Sequence, residues 1–165
     1  MSNRKPDEIL TILNRDSRLT AEQIAKMTGR STADVSAAIE KYEKDGVIKR
    51  YKAIIDWEKA GLETTFAFID VKVAPAREVG FDAVANRISR FPEVISVWLV
   101  SGNNDLRVLV HGNDLRDLGR FVAEKLATID GVRGTETHFM MRRYKEDNDL
   151  FGVDSDEDNR LLVTP

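Results

Sequence analysis

The chain reads as an α+β protein: a unit of three short helices, then a ferredoxin-like βαββαβ unit whose antiparallel sheet carries two helices on one face. Three observations predict this. Apolar residues recur at helical spacing three times before residue 46. Beyond residue 64 the pattern alternates between period two and helical period in the order strand, helix, strand, strand, helix, strand. Between the two regimes, EKAGL at 58–62 reads as a connection. Domains are therefore expected at 1–60 and 61–145, followed by an acidic extension at 146–165.

The first helix is predicted by Ile9, Leu10, Ile12 and Leu13, one apolar face following Asp7. Leu19, Ile24, Ala25 and Met27 predict the second, where Thr20 and Gln23 have capping-box spacing and Gly29 stands where a left-handed residue ends a helix. Ser31 or Thr32 can cap the third, Asp34 lies in its first turn where the helix dipole favours an acid, and Gly46 ends it. The stretch VIKRYKAII, 47–55, is β-prone and basic, and predicts a strand or hairpin.

In the second unit, TFAFIDVKV at 65–73 alternates as a strand. Residues 78–91 form a helical pattern through Phe81, Val84, Ala85, Ile88 and Phe91, stopped by Pro92. Strands at 94–100 and 106–110 flank GNND, 102–105, a hairpin signal. Leu115, Leu118, Phe121, Val122, Leu126 and Ile129 give a helix over 114–129, with Asp114 and Asp117 as helix-start residues, and 135–144 give the last strand. Trp57 and Trp98, set among apolar neighbours, are expected to pack.

Composition narrows the function classes. A chain of 165 residues, 42% hydrophobic and 32% charged, suits one or two modest cores. No apolar run approaches the roughly 18 residues a membrane span needs, and MSNRKPDE lacks the apolar segment of a secretory signal. With no cysteine there is no disulfide and no thiolate metal site. The expectation is a cytoplasmic protein without membrane association, cofactor or bound metal.

The net charge of −3 hides an asymmetry. Residues 1–60 hold twelve Lys or Arg against ten Asp or Glu, a net of +2, and residues 61–165 hold thirteen against eighteen, a net of −5. Much of the negative charge falls in the tail, from Glu146 to Asp158, which reads as a solvated stretch in which LLV at 161–163 leaves room for a docked end.

The third helix decides what the basic unit can touch. At 100° per residue Val35, Ile39 and Tyr42 share a stripe that must face the earlier helices, which turns Ala33, Ala37, Glu40 and Lys44 outward, flanked by Asp34, Ser36 and Lys41. Small side chains let a backbone approach a DNA major groove, where alanine meets a thymine methyl and serine or an acid bonds to base edges. Lys49, Arg50 and Lys52 then form a basic wing for phosphates, joined by Arg30, Lys41 and Lys44. A solvated helix face, in a unit that supports only protein contacts, is the competing reading.

Across both units the residues resemble the Lrp/AsnC (feast/famine) family of transcription regulators. The likeness is carried by LTAEQIAKMTG, STADVSAAIEKYEKDG and VIKRYKAIID in the first unit, and by VISVWLVSGNNDL and GVRGTET in the second. The resemblance implies an N-terminal winged helix-turn-helix, with DNA contacts from Arg30, Ser31, Thr32, Ala33, Asp34, Ser36, Ala37, Lys41, Lys44, Lys49, Arg50 and Lys52. It implies a RAM/AsnC-type second domain that binds a small effector, typically an amino acid, and builds dimers that join into tetramers or octamers. The matching effector positions are Ser101, Gly102, Asn103, Asn104, Asp105, Thr135 and Thr137. Backbone N–H groups at the glycine turn could take a carboxylate and Asp105 an ammonium, or the same residues could supply only turn geometry. Two departures stand out: Ala38 replaces a usual arginine and Tyr42 a usual leucine.

Enzyme readings find no support. Sirohaem decarboxylases resemble the family in both domains, but the only histidines here, His111 and His138, fall in no motif matching their site, and no HExxH, GxSxG or phosphate-binding loop is present. A ligand-binding oligomer without DNA contact is the alternative to a regulator.

Overall fold

The computed structural model describes residues 6–74 and 80–152, and the chain divides into two compact units, Met1–Ala53 and Ile54–Pro165. The first two residues of the helix expected from 78 and the LLV stretch at 161–163 lie outside the described residues.

In the first unit, α1 (Glu8–Arg15), α2 (Ala21–Thr28) and α3 (Thr32–Lys44) form around Ile9, Leu13, Ile24, Ala25 and Val35, with Ile39 and Ile48 packed against them. The capping signals operate as expected. The Thr20 hydroxyl accepts from Gln23 N–H at 3.3 Å while the Gln23 side chain accepts from Thr20 N–H at 2.8 Å. Gly29, at φ 69°, ends α2 in the left-handed region. Gly46, at φ 67°, lets Val47 N–H reach back to the Tyr42 carbonyl at 2.8 Å, so α3 closes with the carbonyls of Lys41, Tyr42 and Glu43 bonded.

One expectation for this unit fails. Residues 47–55 form no strand or hairpin. A strand needs a neighbour to take its backbone groups, and no described segment pairs with this one. Val47 and Ile48 instead both donate to Tyr42 O, finishing the helix.

The second unit has the βαββαβ order: β1 (Thr65–Val73), α4 (Phe81–Ile88), β2 (Val94–Leu99), β3 (Leu106–Gly112), α5 (Leu115–Phe121) and β4 (Val132–Phe139). Its sheet runs β2-β3-β1-β4, with β1 antiparallel to both neighbours. Ala67, Ile69, Val71 and Val73 of β1 and Leu106, Val108 and Val110 of β3 meet Val84 and Ile88 of α4 and Leu118 and Phe121 of α5. Phe91 and Phe121 pack edge to face at 5.6 Å.

Three details depart from the periodicity. The helix expected over 114–129 widens after Phe121 into π-helical turns over Val122–Leu126, closed by Ala127 N–H donating to Val122 O at 2.8 Å. The last strand begins at Val132, because Val132 pairs with Val73 across a bulge, and ends at Phe139. The start of the acidic extension is a small hairpin, β5 (Lys145–Glu146) with β6 (Asp149–Leu150). Nor do the tryptophans pack. Trp57 is 40% exposed in the connection, and Trp98 is 46% exposed because it pairs with Arg107 on the sheet face opposite the helices.

Truncating Ile24, fully buried, to alanine should lower stability by about 2–5 kcal/mol, whereas Thr20→Ala should cost only about 1 kcal/mol. Urea denaturation of the full chain measures both, and an Ile24→Ala loss no larger than that of the cap would contradict the core assignment.

Candidate DNA-binding face and effector loop

Helix α3 is positioned from below and from behind. Val35 is fully buried and Ile39 half-buried against α1 and α2, and Ala38, in the position of the missing arginine, packs on the same core. That leaves Ala33, Ala37, Glu40 and Lys44 exposed on the opposite side, with Ser36 half-buried at the margin. Ser31 caps the helix: its hydroxyl accepts from Asp34 N–H at 3.1 Å and donates to the Asp34 carboxylate at 2.7 Å.

Tyr42 and Arg30 both converge on Asp7. The Tyr42 hydroxyl donates to Asp7 Oδ2 at 2.8 Å, and the Arg30 guanidinium bridges both carboxylate oxygens at 3.1 and 3.3 Å. Asp7 also caps α1 by accepting from Ile9 N–H at 3.0 Å. Burial raises the Asp7 pKa, but the bonds from Ile9, Tyr42 and Arg30 together outweigh it and hold the carboxyl below its usual value. One acid thus ties α3 and the α2–α3 turn to the start of α1. Arg30 is therefore engaged within the unit as well as exposed at its surface.

The basic run beyond α3 is held in place by Tyr51, whose hydroxyl donates to Glu43 at 2.8 Å. Burial and this contact raise the Tyr51 pKa, so the hydroxyl keeps its proton. Lys49, Arg50 and Lys52 are exposed around it, as are Lys41, which pairs with Asp45, and Lys44. Ser31, Thr32 and Arg30 also line a groove of about 410 Å³ with Lys26 at the α2–α3 turn.

In the second unit, the loop joining β2 and β3 is fastened to the sheet by its own acid. Val100 N–H donates to Asp105 O, Asp105 N–H to Val71 O at 3.0 Å, and the Asp105 carboxylate accepts from Val73 N–H at 2.8 Å. The Asn104 side chain lies near enough to the Asp70 carboxylate to help hold its pKa down. Ser101, Gly102 and Asn103 are exposed, and Gly102 adopts φ 130°. Thr135 pairs with Val71 and Thr137 with Ile69, so both threonines share the helix-side face of the sheet. The loop and Thr135 therefore flank the same end of β1, on opposite sides of Val71.

The other face holds a polar group that the sequence reading missed. Arg107 grips Asp70 through two bonds, Nε to Oδ1 at 2.7 Å and Nη2 to Oδ2 at 2.8 Å. Arg107 first, against the cost of burial, holds the Asp70 carboxyl below its usual value, with His138 and Asn104 adding to it. An acid in the alternating strand TFAFIDVKV, two residues beyond Phe68 and away from Ile69, was the available signal.

A groove of about 510 Å³ opens elsewhere, at the far end of β3, lined by Glu93, His111, Asn113, Asp117, Arg120 and Lys125 among others. There Lys125 pairs with Glu93, and the His111 ring lies 3.3 Å from Pro92 O. None of the expected effector residues lines it.

Comparison with known proteins gives two family matches: residues 66–150 match the Lrp/AsnC ligand binding domain and residues 8–49 a winged helix-turn-helix DNA-binding domain. The chain is 50% identical over 162 residues to the HTH-type transcriptional regulator YugG of Bacillus subtilis, covering 98% of this chain and 97% of the relative. Among solved structures it is similar to an AsnC family transcriptional regulator from Agrobacterium tumefaciens, with 30% identity, TM-score 0.68 and coverage of 86% and 92%. A further match is the transcriptional regulator NMB0573 of Neisseria meningitidis in complex with L-Met, with 25% identity, TM-score 0.67 and coverage of 86% and 94%.

The Asp70 pairing carries a pH dependence of definite sign. Because the folded carboxyl titrates below its unfolded value of about 3.9, the pairing stabilises fully above that value and is lost as pH falls through the folded one. Urea midpoints should therefore drop as pH is lowered from about 5 to about 2.5, with a shallower drop in Asp70→Asn. Equal slopes would remove the ion pair from the account.

Proposed function

The chain belongs to the Lrp/AsnC family of transcription regulators, and from that membership we propose that it is a cytoplasmic, homo-oligomeric, sequence-specific DNA-binding regulator whose assembly responds to an amino acid. The family is regulatory and not enzymatic, and the chain joins its DNA-binding domain to its ligand-binding domain. No helix among the described residues is long and apolar enough to cross a membrane.

The observation that carries the DNA reading is the exposed face of α3. Ala33 and Ala37 stand free of the unit's core with the basic run pinned beside them by Tyr51 and Glu43. Such a face admits close approach to a groove floor, Ser36 and Asp34 supply base-edge bonds, and Lys44, Lys49, Arg50 and Lys52 take phosphates. One such helix reads one half-site. Paired copies, as dimers or as tetramers or octamers built from them, supply the rest of the affinity.

The effector reading rests on the loop of residues 101–105 with Thr135 and Thr137. L-methionine in the Neisseria relative supports an amino acid as its class. With the Asp105 carboxylate committed to the sheet and so withdrawn from a ligand's ammonium, the ligand's carboxylate is held by the backbone N–H groups around Gly102 and by the Ser101 hydroxyl. Ligand then shifts assembly or operator affinity only as far as it binds one state better than another.

Lys49→Ala with Arg50→Ala should weaken binding to every duplex and reduce the slope of log affinity against log salt by about 2. Ala37→Glu should abolish binding to the gene's own upstream region while the oligomer survives. Gel shifts at two salt concentrations read both, and undiminished binding by Ala37→Glu would refute the face assigned to DNA.

A thermal-shift panel of the twenty amino acids tests the sensor, since a ligand that binds only folded protein raises the melting temperature. A shift that persists when Gly102 and Ser101 are replaced together would move the site elsewhere.

A further inference from the structure

Helix α3 is held unevenly along its length. Val35, near its start, is its one buried residue, and from Ile39 to Lys44 every side chain is half-buried or exposed. A helix seated on one buried side chain is still free to roll about its axis and to tilt at its far end. Tyr42 restrains both motions. It shares the stripe of Val35 and Ile39 and stands about 10 Å further along the axis, at a rise of about 1.5 Å per residue. Its carbonyl accepts from Val47 and Ile48 N–H at 2.8 and 3.0 Å, and its hydroxyl donates to Asp7 Oδ2 at 2.8 Å.

Asp7 is itself fixed from three directions. Oδ1 accepts from Ile9 N–H at 3.0 Å and faces Arg30 Nη2 at 3.1 Å, while Oδ2 accepts from Arg30 Nη1 at 3.3 Å as well as from Tyr42. A carboxylate offers about four acceptor positions, so this one cannot turn without losing a donor. Its side chain is 24% exposed, which limits replacement of those donors by water. Bonds to an ionised carboxylate are also stronger than neutral ones.

Given the DNA reading of the first unit, on which the assignment rests, we propose that Asp7 and Tyr42 are positioning residues that determine sequence specificity. They act from the side of α3 opposite Ala33 and Ala37, and by fixing the roll of the helix they set where Ala33, Ser36 and Ala37 meet base edges. Such contacts need placement within about 0.5 Å. Lysine and arginine on flexible stems follow a phosphate through a shift of that size. Loosening the link therefore costs discrimination between sequences, not affinity for duplexes in general.

Tyr42→Phe removes one oxygen and no charge, and Asp7→Ser keeps a cap for α1 but is too short to reach Tyr42 or Arg30. Gel shifts of the full chain compare a duplex that the native protein selects from a random pool with an unrelated duplex. Each substitution should cut the preference for the selected duplex about tenfold, the scale of one base contact, and the double substitution should cut it no further than Asp7→Ser alone. Tyr42→Phe should leave the salt dependence unchanged, since no cation is lost. Thr20→Ala softens the same unit without touching Asp7 and should keep the native preference, with circular dichroism showing every variant folded at the assay temperature. A native preference that Tyr42→Phe retains, additive losses in the double variant, or an equal loss in Thr20→Ala overturns the positioning role and leaves the DNA reading standing. A native chain that selects no sequence removes both.

Discussion

Strand β1 is hydrogen-bonded along both edges, to β3 on one side and β4 on the other, and every other feature of the second domain depends on that double pairing. Alternation along it sends Ala67, Ile69 and Val71 under the two helices and Asp70 to the opposite face. Because the register is locked on both sides, a slip of one residue would bring Asp70 into the core and expose the apolar set, a cost no local rearrangement offsets. Arg107 from β3 and Glu136 and His138 from β4 can therefore gather at Asp70 only in this register.

The same strand anchors the loop expected to sense a ligand. Asp105 bonds to backbone at Val71 and Val73, so the exposed turn of Ser101, Gly102 and Asn103 projects from a base fastened to β1. An acid that could have met a ligand's ammonium is occupied in positioning the turn. In the proposed sensor, recognition would fall to backbone dipoles, whose placement depends on the strand beneath them.

Asp7 has the corresponding role in the first domain. Three short helices share a core of few residues, too small to hold them rigidly by burial alone. A single carboxylate that caps α1, receives the Tyr42 hydroxyl and pairs with Arg30 joins all the segments that define the orientation of α3. Tyr42, where the family usually has leucine, is what makes the link to α3 possible. The exposed face of that helix is the product of this fastening as much as of its amphipathic pattern.

Much of this was legible in the residues themselves. Helix starts and ends at Thr20, Gly29, Ser31 and Gly46, the strand at 65–73 and the βαββαβ order are local facts, since capping, left-handed glycine and alternating burial involve neighbours a few positions apart. Where the outcome depended on partners distant in sequence, local pattern was insufficient. The β-prone run 47–55 lacks a strand to pair with, the last strand starts early because Val73 is available to Val132, and Trp98 lies opposite the helices because β3 fixes its register. The gathering of Asp70, Arg107, Glu136 and His138 likewise belongs to tertiary structure: residues up to 68 positions apart become neighbours only through strand pairing, which no spacing along the chain encodes.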